Sequence, residues 1–275
     1  MGKVGSGKLY SSYYWAEHPN QKNFFMHAHE GCELLYFVSG HGTYAVEGNE
    51  YCLSPGCILV MRAGETHMIH IEPDTPYVRY TVNFRPEMLA SADPNGLLMQ
   101  PFTDRPLGQK NMYTAVQFDN RLVRNCLEMM HSTEHQSDAV QQVAILSGLM
   151  VILFEISRAF QNGNENAVLP QGLIAGVVDY INRNLTENLN LDTLSRQFFL
   201  SKSYLNQQFR QATGTTIWDY VLLKRLMLAR TSIRGGASVT DAFRASGFND
   251  YSSFYRRYKN RFGVSPKDDR PRDVR

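Results

Sequence analysis

Polar and apolar positions follow different rhythms in successive parts of the 275 residues. From residue 10 to 84 the runs are short and strand-like, clearest at 32–38, 42–47, 50–53, 58–61 and 78–84. Gly40, Gly48-Asn49, Pro55-Gly56, Ala63-Gly64 and Pro73-Asp74 punctuate them, and no amphipathic helix interrupts, so a barrel or sandwich is expected. Residues 85–112, rich in proline and glycine, read as an irregular connector. The period then becomes helical. Phe118, Leu122, Cys126 and Met129-Met130 mark one helix, and Val140, Val143-Ala144, Ser147, Met150-Val151 and Phe154 a second that is apolar around much of its girth. Polar, aperiodic residues 161–166 read as a linker, with 162–170 as its full extent.

The last third repeats itself. Ser201, Leu205, Phe209 and Gly214 recur at the same spacing as Asp250, Phe254, Tyr258 and Gly263. Ser201 and Asp250 suit helix N-caps, because a side-chain oxygen can take the free amides of the first turn. The apolar residues, four apart, give each helix one buried stripe. The glycines suit the left-handed residue that ends a helix. Shorter helices at 191–198 and 239–245 precede the two copies across tight turns at 199–200 and 247–249, so the pattern predicts two helix-turn-helix units. A supporting helix is expected at 173–185 and a linker helix at 217–233. At about 1.5 Å per residue the latter spans about 25 Å, comparable with the ~34 Å between successive major-groove faces of DNA.

Composition sharpens this. The net charge of +2 hides an asymmetry: residues 171–275 hold 17 Lys and Arg against 9 Asp and Glu, while residues 1–170 hold 11 against 17. A basic block on one end suits a nucleic-acid partner there. Cys32, Cys52, Cys57 and Cys126 show no CxxC pair, so reduced thiols in a cytoplasmic protein are expected. No signal peptide is visible, and the longest apolar run, 144–154, is too short to span a bilayer. Near the start, Gly2-x4-Gly7-Lys8 lacks the Ser/Thr of a phosphate loop, and Met1-Gly2-x3-Ser6 is a loose acylation pattern; a flexible N-terminus is the expectation for both.

The C-terminal third resembles the DNA-binding domain of AraC-type transcription regulators. The residues that carry the resemblance are Leu200-Ser201-x3-Leu205-x3-Phe209-x4-Gly214, Tyr220-x4-Arg225-Leu226-x2-Ala229-Arg230, and Gly247-Phe248-Asn249-Asp250-x3-Phe254-x3-Tyr258-x4-Gly263-x-Ser265-Pro266. Ser195 and Phe243 depart from the small alanine usual at those positions, and the tail 267–270 departs from the usual aromatic-Arg ending. On the first recognition helix the polar face carries Ser203, Asn206, Gln207 and Arg210; on the second, Tyr251, Ser252, Tyr255, Arg256 and Lys259 point outward. By resemblance, Ser203, Asn206, Gln207, Tyr251, Ser252 and Arg256 are the base readers. Arg210 takes guanine or phosphate, and Lys202, Arg257 and Lys259 meet phosphate. For each residue the plainer alternative is a solvated surface side chain.

Two further motifs, His27-x-His29-x3-Glu33-x6-Gly40 and Gly56-x5-Arg62-x-Gly64-x2-His67, resemble those of the cupin barrel, a common effector domain of such regulators. Arg62 and Ile71 replace the usual proline and asparagine. The resemblance implies that His27, His29, Glu33 and His67 bind the effector or hold a divalent metal, with Zn²⁺, Mn²⁺, Fe²⁺ and Ni²⁺ as the candidates. Positions 27, 29 and 33 are all odd, so on one strand they share a face. Hydrogen bonding to an organic effector without any metal stays open beside this. Glu65, Tyr44, Tyr36 and Arg79 are further pocket candidates.

The expected fold is therefore α+β and multidomain. A cupin-like effector-binding barrel (1–112) precedes a helical pair for packing or dimerisation (113–161), then the linker and an all-α domain with two helix-turn-helix units (171–275). The expected function is a sequence-specific DNA-binding regulator answering to a small molecule, with sugars among the candidates, and not an enzyme. The resemblance implies a homodimer acting with RNA polymerase and away from membranes. A metal-dependent cupin enzyme with an appended DNA-binding domain is the alternative, and a component of a larger nucleic-acid assembly is a third class.

Overall fold

The computed structural model describes residues 2–6, 9–163 and 172–270. The chain divides into two compact units, Met1–Gln171 and Gly172–Arg275.

The first unit holds strands β1 (Gly2–Ser6), β2 (Leu9–Ala16), β3 (Cys32–Ser39), β4 (Gly42–Val46), β5 (Asn49–Cys52), β6 (Ile58–Met61), β7 (His67–Ile71), β8 (Tyr77–Phe84) and β9 (Met112–Tyr113). They form one six-stranded sheet, β1-β2-β8-β3-β6-β9, and one three-stranded sheet, β5-β4-β7. Neighbours within each sheet run antiparallel. Strand alternation divides the apolar residues between two cores. Leu35, Phe37, Leu59 and Met61 meet Tyr44, Val46, Tyr51 and Ile69 between the sheets. Leu34, Tyr36, Val82 and Phe84 pack on the opposite face against two helices, α2 (Asn120–Ser132) and α3 (Asp138–Gln161). Each such side chain, fully buried, contributes about 1.5–3 kcal/mol of transfer free energy.

The start of the chain is a correction to the sequence reading. Rather than a flexible tail, Gly2–Ser6 pairs with β2, Val4 is buried, and Gly5 N–H donates to Gln141 of α3 at 2.7 Å. The pairing supplies the register that two isolated glycines concealed. The connector holds two 3-10 turns, Pro86–Met88 and Leu97–Met99, and the short helix α1 (Gln100–Thr103).

Asp119 caps α2 by accepting the Leu122 amide, as a residue before a helical apolar run should. Gly148 lets the two helices close: a Cβ there would stand 2.6 Å from Met130 Cε. By length and composition α3, at 24 residues, is able to cross a membrane, although its longest uninterrupted apolar run is shorter. Half of its most apolar stretch is buried in this unit, where Ile145, Leu149, Ile152 and Ile156 face the sheet. Most of the expected linker, from residue 164 on, lies outside the described residues.

The second unit is helical: α4 (Leu173–Arg183), α5 (Leu191–Phe198), α6 (Lys202–Thr213), α7 (Ile217–Arg234), α8 (Val239–Ala245) and α9 (Tyr251–Phe262). The predicted caps form. Ser201 Oγ accepts the Tyr204 amide at 3.2 Å, and Asp250 accepts the Ser253 amide at 2.7 Å. Gly214 and Gly263 end their helices at φ 70° and 73°. Gly247, at φ 79°, is needed for a second reason, since a Cβ would stand 2.8 Å from Thr186 Cα. On α7, Leu222, Leu226, Ala229 and Ile233 form the core with Phe254 and Tyr258 of α9, while Tyr220 meets Phe209 of α6 at 5.5 Å.

Each departure from the family pattern has a local partner. Ser195 Oγ donates to the Leu200 carbonyl across the first tight turn. The bulky Phe243 ring sits edge-on to Tyr251 at 5.4 Å and beside Phe254 at 5.6 Å. Asp269 in the tail accepts from Arg230, Arg234 and the Tyr258 hydroxyl. It thereby ties the chain after α9 back onto α7 and α9.

Candidate ligand chamber and nucleic-acid interface

The structure brings His27, His29, Glu33 and His67 together, but not by strand alternation. His27 lies outside the named strands, in an isolated bridge with His67 in which each amide donates to the other's carbonyl, at 3.1 and 2.9 Å. His29 stands in the loop before β3, held where its carbonyl accepts from Gly64 N–H. Of the three residues expected on one strand, only Glu33 lies on it, in β3, while His67 opens β7. The three imidazoles place ring nitrogens within 4.8 Å of one another.

Their protonation follows from their partners. His27 Nδ1 lies 2.8 Å from the Phe25 carbonyl and His67 Nδ1 lies 2.9 Å from the Glu65 carbonyl. A carbonyl only accepts, so each Nδ1 carries the proton and each Nε2 keeps its lone pair. Burial pushes His67 down to about 3, outweighing Glu33, and so keeps it neutral. Burial alone would raise the Glu33 carboxyl, but the His29 contact at 2.8 Å and the neighbouring positive groups hold it below its ordinary range. His67 Nε2 and Glu33 Oε1 then face each other at 3.7 Å, both buried and neither hydrogen-bonded. Two opposed acceptors need a cation or a donor between them. Three histidines and one carboxylate, with the Phe25 and Glu65 carbonyls already orienting two of the rings, fit a divalent transition metal.

The other pocket candidates separate. Tyr44 stays, its ring stacked on His67 at 6.0 Å. Arg79 stays, half-buried on the inner face of β8 above the Tyr14 ring. Tyr36 is corrected: it faces the helices, and its hydroxyl donates to Asn120 Oδ1 at 3.1 Å. Glu65 is corrected too. It is fully buried, accepts from both terminal nitrogens of Arg105 at 2.8 and 2.7 Å, and also takes Gly108 N–H and the Asn111 amide. It braces the connector rather than lining the chamber.

Sequence reading picked out Arg79 but not the polar row on β8 to which it belongs. Tyr77, Arg79, Thr81 and Asn83 occupy every second position, while Val78, Tyr80, Val82 and Phe84 alternate with them. Thr81 bonds Ser12 of β2 at 2.6 Å. A strand polar on one face and apolar on the other, in the middle of a buried sheet, was the available signal.

In the second unit Lys202, Ser203, Gln207 and Arg210 are exposed on α6, and Tyr251, Ser252, Arg256, Arg257 and Lys259 are exposed on α9. Lys202 pairs with Asp192, and Arg257 Nε reaches Ser253 Oγ at 3.3 Å. Asn206 differs. It is half-buried, and its Oδ1 accepts the Ile217 amide at 3.1 Å, helping to cap α7. A bidentate adenine contact needs that oxygen, and one of its two lone pairs is already used at the start of α7. Sequence periodicity also passed over Tyr204, 47% exposed on α6, and Phe199, which is 93% exposed in the turn at φ 55°.

Comparison with known proteins agrees with both halves. An AraC-like ligand binding domain matches residues 9–150, and a helix-turn-helix domain matches residues 194–272. The HTH-type transcriptional activator RhaS of Shigella sonnei is 27% identical over 252 residues, covering 90% of this chain and 88% of that protein. RhaS of Escherichia coli K12 is 26% identical over the same length. The crystal structure of ToxT from Vibrio cholerae O395 aligns with 95% of this chain and 96% of its own at 11% identity and a TM-score of 0.37. The relatives are transcription regulators, not enzymes. With an N-terminal ligand-binding domain and a C-terminal pair of helix-turn-helix units, the chain belongs to the AraC family of DNA-binding transcription regulators.

Proposed function

We propose that this regulator reads its operator with α6 and α9 and senses a small molecule between its two sheets. The observation that carries the first part is the repeated construction of those helices. Each has a side-chain N-cap, an inward apolar stripe, a left-handed glycine end and an exposed polar face. Ser203 and Gln207 on α6, with Tyr251, Ser252 and Arg256 on α9, are the base readers in this reading. Arg210, Lys202, Arg257 and Lys259 fix register on phosphates, which orient without specifying sequence.

In the first unit the opposed acceptors of Glu33 and His67 support a divalent ion held by His27, His29, Glu33 and His67. Bound there, it would add a positive charge able to attract an oxygen ligand. The residues themselves orient that ligand and shield it from water. Ligand binding then shifts the population between arrangements of differing DNA affinity, by no more than its differential affinity for them.

The exposed stripe Val140, Val143, Leu146 and Phe154 on α3, with Leu122 and Met129 of α2, supports a homodimer through the helical pair. Action as an activator follows the naming of the RhaS relatives, and action in the cytoplasm with RNA polymerase follows from the reading as a transcription regulator. The test is selection of bound duplexes from a random pool at a stated salt concentration. Two conserved blocks about one helical turn apart are expected. Sequence-blind, salt-sensitive retention contradicts the reading.

A further inference from the structure

The inner wall of the first unit carries four buried polar atoms without a hydrogen bond, and they are of two kinds. Glu33 Oε1 and His67 Nε2 are acceptors; Arg79 Nε and the Tyr77 hydroxyl are donors. Tyr77 is fully buried, and it precedes Arg79 by two positions on β8, so both side chains leave the same face. Arg79 lies over the face of Tyr14, 5.8 Å from its guanidinium carbon, and feels the more distant charge of Glu33. Glu33, the acid of the chamber, gives Oε2 to His29 and makes no direct ion pair with Arg79. The Arg79 Nε–H and the Tyr77 hydroxyl, buried with their donors unused, are costly to the folded chain on their own. The cost is removed if an acceptor enters the chamber, and a charged acceptor removes most of it.

We propose that the ligand of this chamber is a small hydroxylated monocarboxylate, a hydroxy acid or sugar acid, whose carboxylate is held by Arg79 and Tyr77. The inference rests on reading the space between the sheets as the effector site. A single negative charge matches the single guanidinium, and the Glu33 carboxylate in the same chamber opposes a second, which disfavours a phosphate dianion. A hydroxyl matches the far end, where Glu33 offers a free acceptor. A divalent ion on the histidines would use Glu33 and offset its charge, so the hydroxyl contact and the ranking against the phosphate are read on metal-free protein, while Arg79 and Tyr77 face the carboxylate in either form.

The test uses the full-length protein and matched pairs of ligands: glycerate with glycerol, gluconate with gluconamide, glucuronate with glucose, and glucose 6-phosphate as the dianion. Thermal unfolding ranks them and calorimetry measures the best. At least one acid raises Tm, and its neutral counterpart binds roughly tenfold to a hundredfold more weakly, as loss of a charge-assisted hydrogen bond requires. Arg79→Gln, checked for native circular dichroism, loses the preference for the acid, and Arg79→Lys keeps part of it. The ligand-side comparison stands even if a variant fails to fold. Neutral compounds that bind as well as the acids, an acid preference that survives Arg79→Gln, or tighter binding of the phosphate each overturn the inference while leaving the chamber as the effector site. A panel in which no compound shifts Tm counts against both.

Discussion

Asn206 Oδ1 accepts the backbone amide of Ile217 at 3.1 Å, so a residue on the outward register of α6 serves as a clamp on the start of α7. This predicts a division among neighbours one position apart. Asn206→Ala should lower stability by about 1 kcal/mol, as loss of a capping hydrogen bond does, and leave the preferred DNA sequence unchanged. Gln207→Ala and Arg256→Ala should leave Tm within error. Each should cost about 1–3 kcal/mol of binding and relax preference at one position of the site. Competition against single-base operator variants checks this, and relaxed preference in Asn206→Ala would return that residue to the readers.

Glu65 and Arg105 form a pair buried at both ends. Burial alone would raise the Glu65 carboxyl, but the Arg105 bonds and charge, with the Gly108 amide, hold it at about 2. A depressed folded value means that its stabilisation is complete above the unfolded value of about 4.5 and disappears as pH falls from there toward 2. The size is on the order of 3 kcal/mol. Urea unfolding of the wild type should steepen in that window. Glu65→Gln should be less stable at pH 7 by about 3–5 kcal/mol and show a flatter acid limb.

The histidine cluster predicts metal content. After equilibration with Zn²⁺, Mn²⁺ or Ni²⁺ and removal of free ion, elemental analysis should find about one ion per chain and a raised Tm. His27→Ala, half-exposed and outside the core, should lose the ion without losing the fold. Equal Tm with and without ions, and no retained metal, would leave Glu33 and His67 to an organic donor.

The apolar stripe on α3 predicts association. Val143 is 66% exposed, so Val143→Asp should not disturb the folded unit. It should shift sedimentation from dimer to monomer at micromolar concentration and weaken binding to a two-site operator more than to a half-site. A wild-type monomer at every concentration would remove the dimer from the account.

The second unit was legible nearly to the residue because local signals agree there: caps, apolar stripes and glycine ends each mark the same boundary at Ser201, Gly214, Asp250 and Gly263. The first unit was legible in its central strands and less so elsewhere. His67–Ile71 and Gly2–Ser6 are strands because of what they pair with, a long-range fact that period alone does not carry. The histidines were found by motif, while the alternation argument for His27 and His29 failed because a loop and an isolated bridge, not a strand, deliver them. Glu65 misled for a similar reason. A lone acid beside a glycine turn shows nothing of the arginine 40 positions later that buries it.

The central claim is that the two capped helices read sequence rather than charge. Fluorescence anisotropy of the full-length protein on a selected duplex and on a shuffled duplex of the same composition, across a salt series, tests it most directly. The account predicts parallel salt slopes, since phosphate contacts are shared, and a gap of at least 10³ in affinity at physiological salt on the scale usual for specific sites, as roughly estimated. Coincident curves for the two duplexes would contradict it.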